Sequence, residues 1–315
     1  MALWMLTTLA AAWIGYKVLL KLRPTPSVRG RKVVIVGASS GIGRSTALEY
    51  AQRGAHLLLC ARRKDELAQV ADLCRAATPL ASTTVHVVVG DVTKRETQMA
   101  LRDKAMGLWG GETDYLVLNA GALSVRPIAE LWGISPASEP DHVAKVDQQV
   151  ADRADELLRQ MMDINLHAPA TIAGLFLPML ARSKGSIVVV SSMVALVAAP
   201  TRSLYTASKQ AVSGYFCAMR MEIQRQFNVA VTIVYPGTVA TDLRLAALDR
   251  EGPGPVAGSA SSKMSAQKCA QQIVRAAALR ERELITPLPY RISAMVHTVA
   301  PSVVEHMARK KYGLA

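Results

Sequence analysis

Lys32-Val33-Val34-Ile35-Val36-Gly37-Ala38-Ser39-Ser40-Gly41-Ile42-Gly43 decides the fold. After Lys32 the run is apolar and β-branched, the pattern of a strand buried on both faces. The next seven residues are small and rich in glycine, and Arg44 to Arg53 then has helical character. Glycines in a strand-to-helix turn let the backbone approach a phosphate. The helix start behind them offers unpaired N–H groups and a positive dipole end. The spacing is Gly-x-x-x-Gly-x-Gly and not the broader Gly-x-Gly-x-x-Gly fingerprint. Its position between strand and helix, at the head of an alternating chain, favours a dinucleotide site over a plain turn.

Working outward, strand-like and helix-like segments alternate from Lys32 to Thr286. That alternation predicts an α/β fold, a Rossmann-type doubly wound parallel sheet with helices on both faces. The 315 residues suffice for one large core and contain no internal repeat or low-complexity array. Cys60, Cys74, Cys217 and Cys269 lack metal-ligand spacing and read as free thiols in a reducing compartment, so no metal is expected.

Tyr205-Thr206-Ala207-Ser208-Lys209 carries the chemistry. Four residues apart on a helix, the Tyr205 and Lys209 side chains share one face. The ammonium is expected to draw the phenol down from its ordinary value of about 10, giving a proton donor and acceptor usable near neutrality. Alone, Tyr-x-x-x-Lys also occurs on solvated helix faces; the other motifs of this chain give it weight.

Those motifs follow in order. Asp91-Val92 ends the strand-like run His86 to Val89. Asn119-Ala120-Gly121 follows Tyr115 to Leu118, and Asn165 lies in Met162-Asp163-Ile164-Asn165. Ser192 closes Ile187 to Ser192, thirteen positions before Tyr205, and Pro236-Gly237 precedes Thr241. In this combination the chain resembles the short-chain dehydrogenase/reductases over roughly Arg31 to Pro287. The resemblance implies hydride transfer between a nicotinamide and a ketone or secondary alcohol. It makes Tyr205 the general acid, Ser192 the hydrogen-bonding partner of the carbonyl oxygen, and Lys209 the holder of the nicotinamide ribose. Asn165 is implied to keep a water in a relay from Lys209. Ser191 competes with Ser192 for the serine role, and only the spacing decides between them. Gly37, Ser39, Ser40, Gly41, Ile42 and Gly43 are implied to meet the pyrophosphate side of the cofactor. Asp91 and Val92 border the adenine, Asn119, Ala120 and Gly121 line the middle, and Pro236, Gly237 and Thr241 flank the nicotinamide.

Cofactor choice hangs on the end of the second strand, where Cys60-Ala61-Arg62-Arg63-Lys64 follows an apolar run. An acidic residue there would bind the ribose 2′-hydroxyl, and none is present. Arg62 and Arg63 can clamp a 2′-phosphate through forked guanidinium donors, so NADP(H) is expected over NAD(H).

Residues Ala2 to Tyr16 carry no charge, and apolar character resumes through Val18, Leu19 and Leu20. At about 1.5 Å per residue the stretch approaches the roughly 30 Å of bilayer hydrocarbon. Lys17, Lys21, Arg23, Arg29, Arg31 and Lys32 all follow it, which puts the remaining chain on the cytosolic side. The expected organisation is a membrane anchor over residues 1–22, a linker over 23–30, a catalytic domain over 31–287 and an amphipathic, membrane-proximal extension over 288–315. The endoplasmic reticulum is the expected membrane. The formal net charge of +13 invites a nucleic-acid reading. No nucleic-acid module or aromatic-interleaved basic stripe supports one; charge gathers instead beside the anchor and at Arg309-Lys310-Lys311, as suits an anionic membrane surface. Between Gly121 and Asn165 the chain is longer than the family pattern, and Asp141 to Leu158 is expected to form an extra amphipathic helix. Arg244 to Ser262, rich in Gly, Pro and Ala, falls where the family keeps its mobile substrate loop.

Together these features predict a membrane-anchored oxidoreductase for a lipophilic, lipid-like or steroid-like substrate, resembling hydroxysteroid dehydrogenases and dehydrogenase/reductases of the 7 type. 3-Ketodihydrosphingosine and acyl-dihydroxyacetone-phosphate reduction are the alternatives within that class. A non-catalytic dinucleotide sensor or scaffold is the alternative outside it. A homodimer is compatible with the family habit.

Overall fold

Alternate residues of each apolar run serve two different cores. In β1 (Lys32–Val36), Val33 and Ile35 pack on one side of the sheet while Val34 and Val36 pack on the other. The period of two along a strand produces this split, and burial on both sides explains why the run is continuously apolar. The computed structural model describes residues 23–79, 81–134, 146–250 and 263–314. The anchor expected over residues 1–22 lies outside them, as do residues 135–145 of the long insertion and most of the substrate loop.

The remaining strands of the main sheet are β2 (His56–Ala61), β3 (Val85–Val89), β4 (Tyr115–Leu118), β5 (Ser186–Val190), β6 (Ala230–Pro236) and β9 (Glu283–Thr286). They form one seven-stranded sheet in the order β3-β2-β1-β4-β5-β6-β9. Every neighbouring pair is parallel. β7 (Val239–Ala240) and β8 (Met264–Ser265) make a separate two-stranded ladder.

Helices α1 (Gly41–Gln52) and α2 (Lys64–Ala77) cover one face, joined there by α8 (Ala266–Ala278). The other face is covered by α3 (Arg95–Trp109), α6 (Ala168–Ser183) and α7 (Ser203–Phe227). Chain order reverses between β1 and β4, so a crevice opens outside the carboxyl ends of those strands, the usual ligand position in such sheets.

The segment expected as a linker is tied to the domain. Val28 is buried in the core, and Arg275 of α8 donates to Thr25 Oγ1 at 2.8 Å. The long insertion contributes the short helix α4 (Ile128–Leu131) and then α5 (Gln148–Met162). Asp147 caps α5 by accepting the Gln149 amide, so this helix starts later than the expected Asp141. Through a π-helical turn, Asp163–His167, it runs on into α6. The expected extra helix is thus the leading part of the helix that carries Asn165. Gln148–Ser183 is long and apolar enough to cross a membrane by length and composition. Its Ile172, Phe176 and Leu180 are fully buried against the sheet, as in the core helix of a globular domain.

Past β9 the chain forms α9 (Leu288–Val299) and α10 (Pro301–Lys311). Pro287 and Pro289 lie at the start of α9, where a missing N–H costs nothing, and Pro301 opens α10. Pairing of Pro236 with Thr286 brings α9 directly over the end of β6.

Candidate active site

The glycine turn is held between two strand ends. Gly37 and Ala38 donate their amides to the Cys60 carbonyl at 2.8 and 3.1 Å, and Asn119 Nδ2 donates to the Gly37 carbonyl at 2.8 Å. Gly37 has φ +85°, and a Cβ there would fall 2.6 Å from the Ala120 amide nitrogen. At Gly43 a Cβ would fall 2.0 Å from the Gly37 carbonyl oxygen. The turn therefore closes back on itself at a distance that only glycine allows, leaving the start of α1 open toward the crevice.

That crevice is a cleft of about 730 Å³. Gly37, Ser39, Ser40, Gly41, Ile42, Arg62, Arg63, Asp91, Val92, Asn119, Ala120 and Gly121 line it, as do Ser192, Tyr205, Lys209, Pro236, Gly237 and Thr241. Of the expected site residues only Gly43 and Asn165 stand behind the wall. Gly43 is a packing position. Asn165, 1% exposed, accepts the Ala122 amide at 2.8 Å and donates to the Ala122 carbonyl at 3.0 Å and to Ser208 Oγ at 2.9 Å. The π turn gives its helix an extra residue at this point.

Arg63 donates through Nη2 to Ser39 Oγ at 3.0 Å and to Ser40 Oγ at 2.7 Å, linking the end of β2 to the glycine turn. Arg62 is exposed beside it. Asp91 accepts both the amide and the hydroxyl of Thr93 at 2.9 Å. Burial alone would raise its carboxyl; the Thr93 hydrogen bonds and the Arg62 and Lys94 charges outweigh that and hold it below the usual range.

At the other end Ser192 and Tyr205 both line the cleft; the Ser192 hydroxyl accepts the Val194 amide at 3.3 Å and draws the Tyr205 phenol down. Ser191 is occupied differently, with its hydroxyl 2.8 Å from Ser213 Oγ and 3.2 Å from the Lys209 carbonyl. Lys209 Nζ donates to the Val190 carbonyl at 3.0 Å. One sequence expectation is corrected here. Burial pushes the Tyr205 phenol up from its ordinary value, more than the Ser192 hydroxyl and the Arg202 and Arg244 charges pull it down. Burial also lowers Lys209 to about 8. Desolvation governs both groups, and Lys209 is not among the groups that draw the Tyr205 phenol down in this structure.

Sequence reasoning missed part of the wall. Arg202, Arg244, Tyr290, Met307, Lys311 and Tyr312 all face the cleft. The Tyr290 ring lies on Gly237, where a Cβ would meet Cε2 at 2.3 Å, and its hydroxyl is 3.1 Å from Thr238 Oγ1. Lys311 Nζ stands 5.8 Å from the Tyr290 ring centre, and the Arg202 guanidinium 5.6 Å from that of Tyr312. The glycine at 237 was the available signal, since a glycine after a strand can mark the close approach of another group. Asp249 was also missed. Its carboxylate accepts Ser124 Oγ at 2.7 Å, the Val125 amide at 2.8 Å and the Arg126 amide at 3.0 Å, fastening residues 242–250 to the segment after β4.

The fold has counterparts among solved structures. A short chain dehydrogenase/reductase from Burkholderia phymatum, solved in complex with NAD, matches with a TM-score of 0.70 at 22% identity, over 88% of this chain and 96% of that one. An alcohol dehydrogenase from Thermococcus sibiricus, complexed with 5-hydroxy-NADP, matches with a TM-score of 0.63 at 23% identity, over 82% and 97%. Among curated proteins, the 11-beta-hydroxysteroid dehydrogenase A of Sesamum indicum is 34% identical over 90% of this chain and 76% of its own length. Dehydrogenase/reductase SDR family member 7B of Xenopus laevis is 29% identical over 98% and 92%. The profile of the short chain dehydrogenase family matches residues 31–252, a span from the glycine turn past the Tyr205 helix. With strand order, turn and profile in agreement, the chain belongs to the short chain dehydrogenase family of oxidoreductases.

Proposed function

We propose that this chain is a membrane-anchored, NADP(H)-dependent oxidoreductase that interconverts a lipophilic ketone and its secondary alcohol, with Tyr205 as general acid. The observation that carries the reading is the convergence of Tyr205, Ser192 and Lys209 on one cleft whose far end is the glycine turn. When bound, the nicotinamide supplies the hydride in reduction and accepts it in oxidation. Tyr205, protonated across the physiological range, delivers its proton to the substrate oxygen. Ser192 donates a hydrogen bond to that oxygen as negative charge builds on it. Lys209 stands on the cleft wall with Nζ free to meet a ribose hydroxyl while it remains on the Val190 carbonyl. Asn165 fixes the backbone at Ala122 and so the wall beside Lys209.

The turn fits a dinucleotide because its glycines let it close on itself and leave the start of α1 open to the cleft. Arg63, already gathered on Ser39 and Ser40, forms with Arg62 a cationic end to the cleft, which supports NADP(H). Val194, Val197, Leu243, Leu248 and Met307 give the substrate side an apolar lining, and the hydroxysteroid relatives' names agree with a steroid-like or lipid-like substrate.

The membrane part of the reading rests on the uncharged N-terminal stretch together with α9 and α10. Leu288, Ile292, Met295 and Val299 of α9 are all more than half exposed and recur at three- and four-residue intervals, and Val303 of α10 is exposed likewise. Arg309, Lys310 and Lys311 follow. An apolar stripe ending in cations suits a bilayer surface bearing anionic headgroups. The domain organisation proposed is the anchor over 1–22, the tethered segment 23–30, the catalytic unit over 31–287 and the membrane-proximal extension over 288–315, facing the cytosol from the endoplasmic reticulum.

Fluorescence titration of NADPH and NADH into the full chain in detergent tests the cofactor, with Arg62→Ala/Arg63→Ala as control. NADPH should bind at least about tenfold tighter, a difference of roughly 1.4 kcal/mol, and the double variant should lose that preference. Equal binding of the two would overturn the NADP(H) assignment. NADPH oxidation with a medium-chain ketone, absent in Tyr205→Phe, tests the reaction.

A further inference from the structure

A basic wall faces Tyr205 on the side away from the glycine turn. Arg202, 2% exposed, donates through Nη1 to the Val125 carbonyl at 2.8 Å, the Thr201 carbonyl at 2.9 Å and Thr201 Oγ1 at 2.7 Å. Arg244 closes the 3₁₀ turn Asp242–Arg244. Its Nη1 is buried and meets no hydrogen-bond acceptor among the described residues. Both residues line the cleft, and the charge of each acts on the Tyr205 phenol. Lys311 adds a third cation to the same wall. Of the nearby acids, Asp249 acts on Arg202 while it also accepts from Ser124, Val125 and Arg126, and Asp242 is exposed.

A buried charged donor without an acceptor costs more than a neutral one. Two arginines at the general acid, one of them with a buried N–H unmatched, are a poor wall for a wholly neutral ketone. They suit an anion, for which a guanidinium offers paired donors. We propose that Arg244, backed by Arg202, forms a subsite for an acidic group on the substrate, a carboxylate or a phosphate, so that the substrate is an acidic amphiphile with its carbonyl at Tyr205 and its charge at Arg244. The inference rests on the reading of Tyr205 as the reacting end of the cleft. The apolar lining takes the chain of such a molecule and the basic wall takes its head.

Calorimetric titration of the NADPH-bound full chain, in non-ionic detergent, with octyl phosphate, octanoate and octanol tests the subsite. At least one anion should bind about tenfold or more tighter than octanol, and the tighter of the two tells which headgroup the site takes. Arg244→Gln should bring the anion to within about twofold of octanol, and Arg244→Lys should keep part of the preference. Near-UV circular dichroism and NADPH affinity verify that each variant is folded; should Arg244→Gln not fold, the wild-type comparison and Arg244→Lys still decide. Equal wild-type binding of all three ligands would overturn the subsite. So would an anion preference that survives in Arg244→Gln and disappears in Lys311→Gln. The parent reading is scored separately with 2-decanone and a keto acid of equal length. Tyr205-dependent turnover without anion preference removes the subsite and leaves the reaction. Arg244-dependent anion binding without turnover of either ketone removes the reaction and leaves the subsite.

Discussion

Lys209 Nζ donates to the Val190 carbonyl at 3.0 Å and stands 5.8 Å from the centre of the Tyr205 ring, so its ammonium is buried on a neutral carbonyl and over an aromatic ring. Burial lowers Lys209 to about 8, whereas the unfolded chain keeps an ordinary lysine. Between about pH 8 and the unfolded value the unfolded state binds more protons, so this group's contribution to stability rises with pH through that window. Below pH 8 the buried charge costs on the order of 3 kcal/mol at about 1.36 kcal/mol per unit. Lys209→Met should therefore be at least as stable as wild type in urea at pH 7, and that advantage should shrink by pH 10. The difference between the two proteins cancels the tyrosines and cysteines that titrate alkaline. Activity of Lys209→Met should fall by about a thousandfold or more. A variant several kcal/mol less stable than wild type at pH 7 would refute the cost assigned to the buried ammonium.

Gly43→Ala addresses the turn. Its Cβ would lie 2.0 Å from the Gly37 carbonyl oxygen and 2.5 Å from Asn119 Nδ2, both fixed by the bond between them. Overpacking of that kind costs typically about 1–3 kcal/mol, and the displaced turn should weaken NADPH binding by about a hundredfold. Gly174→Ala is the matched control: it lies on the exposed face of α6 with nothing within 4 Å of its Cβ, so helix propensity alone should raise stability by about 0.5–1 kcal/mol. Urea unfolding and NADPH titration of both variants check the contrast.

The glycine turn and the strands were legible in the sequence because both are local signals. A β-branched run ending in Gly-x-x-x-Gly-x-Gly states its structure within twelve residues, and Tyr205 with Lys209 states a shared helix face. The direction of the Tyr205 shift was not legible. It depends on how much water the fold removes from the phenol, and that is decided by Met161, Leu123 and Ala122, which are distant in sequence and pack around it. Arg244 and Asp249 were invisible for the same reason: nothing near either residue says that one is buried in the cleft wall or that the other finds the Ser124–Arg126 amides. The helix expected from Asp141 begins at Gln148 because Asp147 accepts the Gln149 amide, a cap that a charge-rich pattern hides.

Asp249 holds residues 242–250 against the segment after β4, and Leu248 N donates to the Leu123 carbonyl at 2.9 Å in support. Hydrogen bonds to a charged acceptor are worth roughly 1.5–3 kcal/mol each, so Asp249→Ala should open this stretch locally. KM for a lipophilic ketone should rise at least about fivefold with a smaller change in kcat, and amide exchange should quicken at residues 243–250. Unchanged exchange would mean that the carboxylate is not what closes the segment.

Tyr290 on Gly237 is the contact that brings the C-terminal helices over the cleft. A methyl group at 237 would lie 2.3 Å from the ring, closer than any side chain tolerates, and the neighbouring Pro236–Thr286 pairing prevents the strand ends from separating. The ring must therefore move, and with it Lys311 above it. Gly237→Ala should detach α9 and α10 while leaving the sheet intact. Trypsin should then cut at Arg309, Lys310 and Lys311 at least about tenfold faster than in wild type, with the far-ultraviolet spectrum little changed. Tyr290→Phe keeps the ring on Gly237 and loses only the bond to Thr238, so it should cost about 0.5–1.5 kcal/mol and leave the cutting rate near wild type. Equal trypsin sensitivity in Gly237→Ala and wild type would show that other contacts hold the two helices in place.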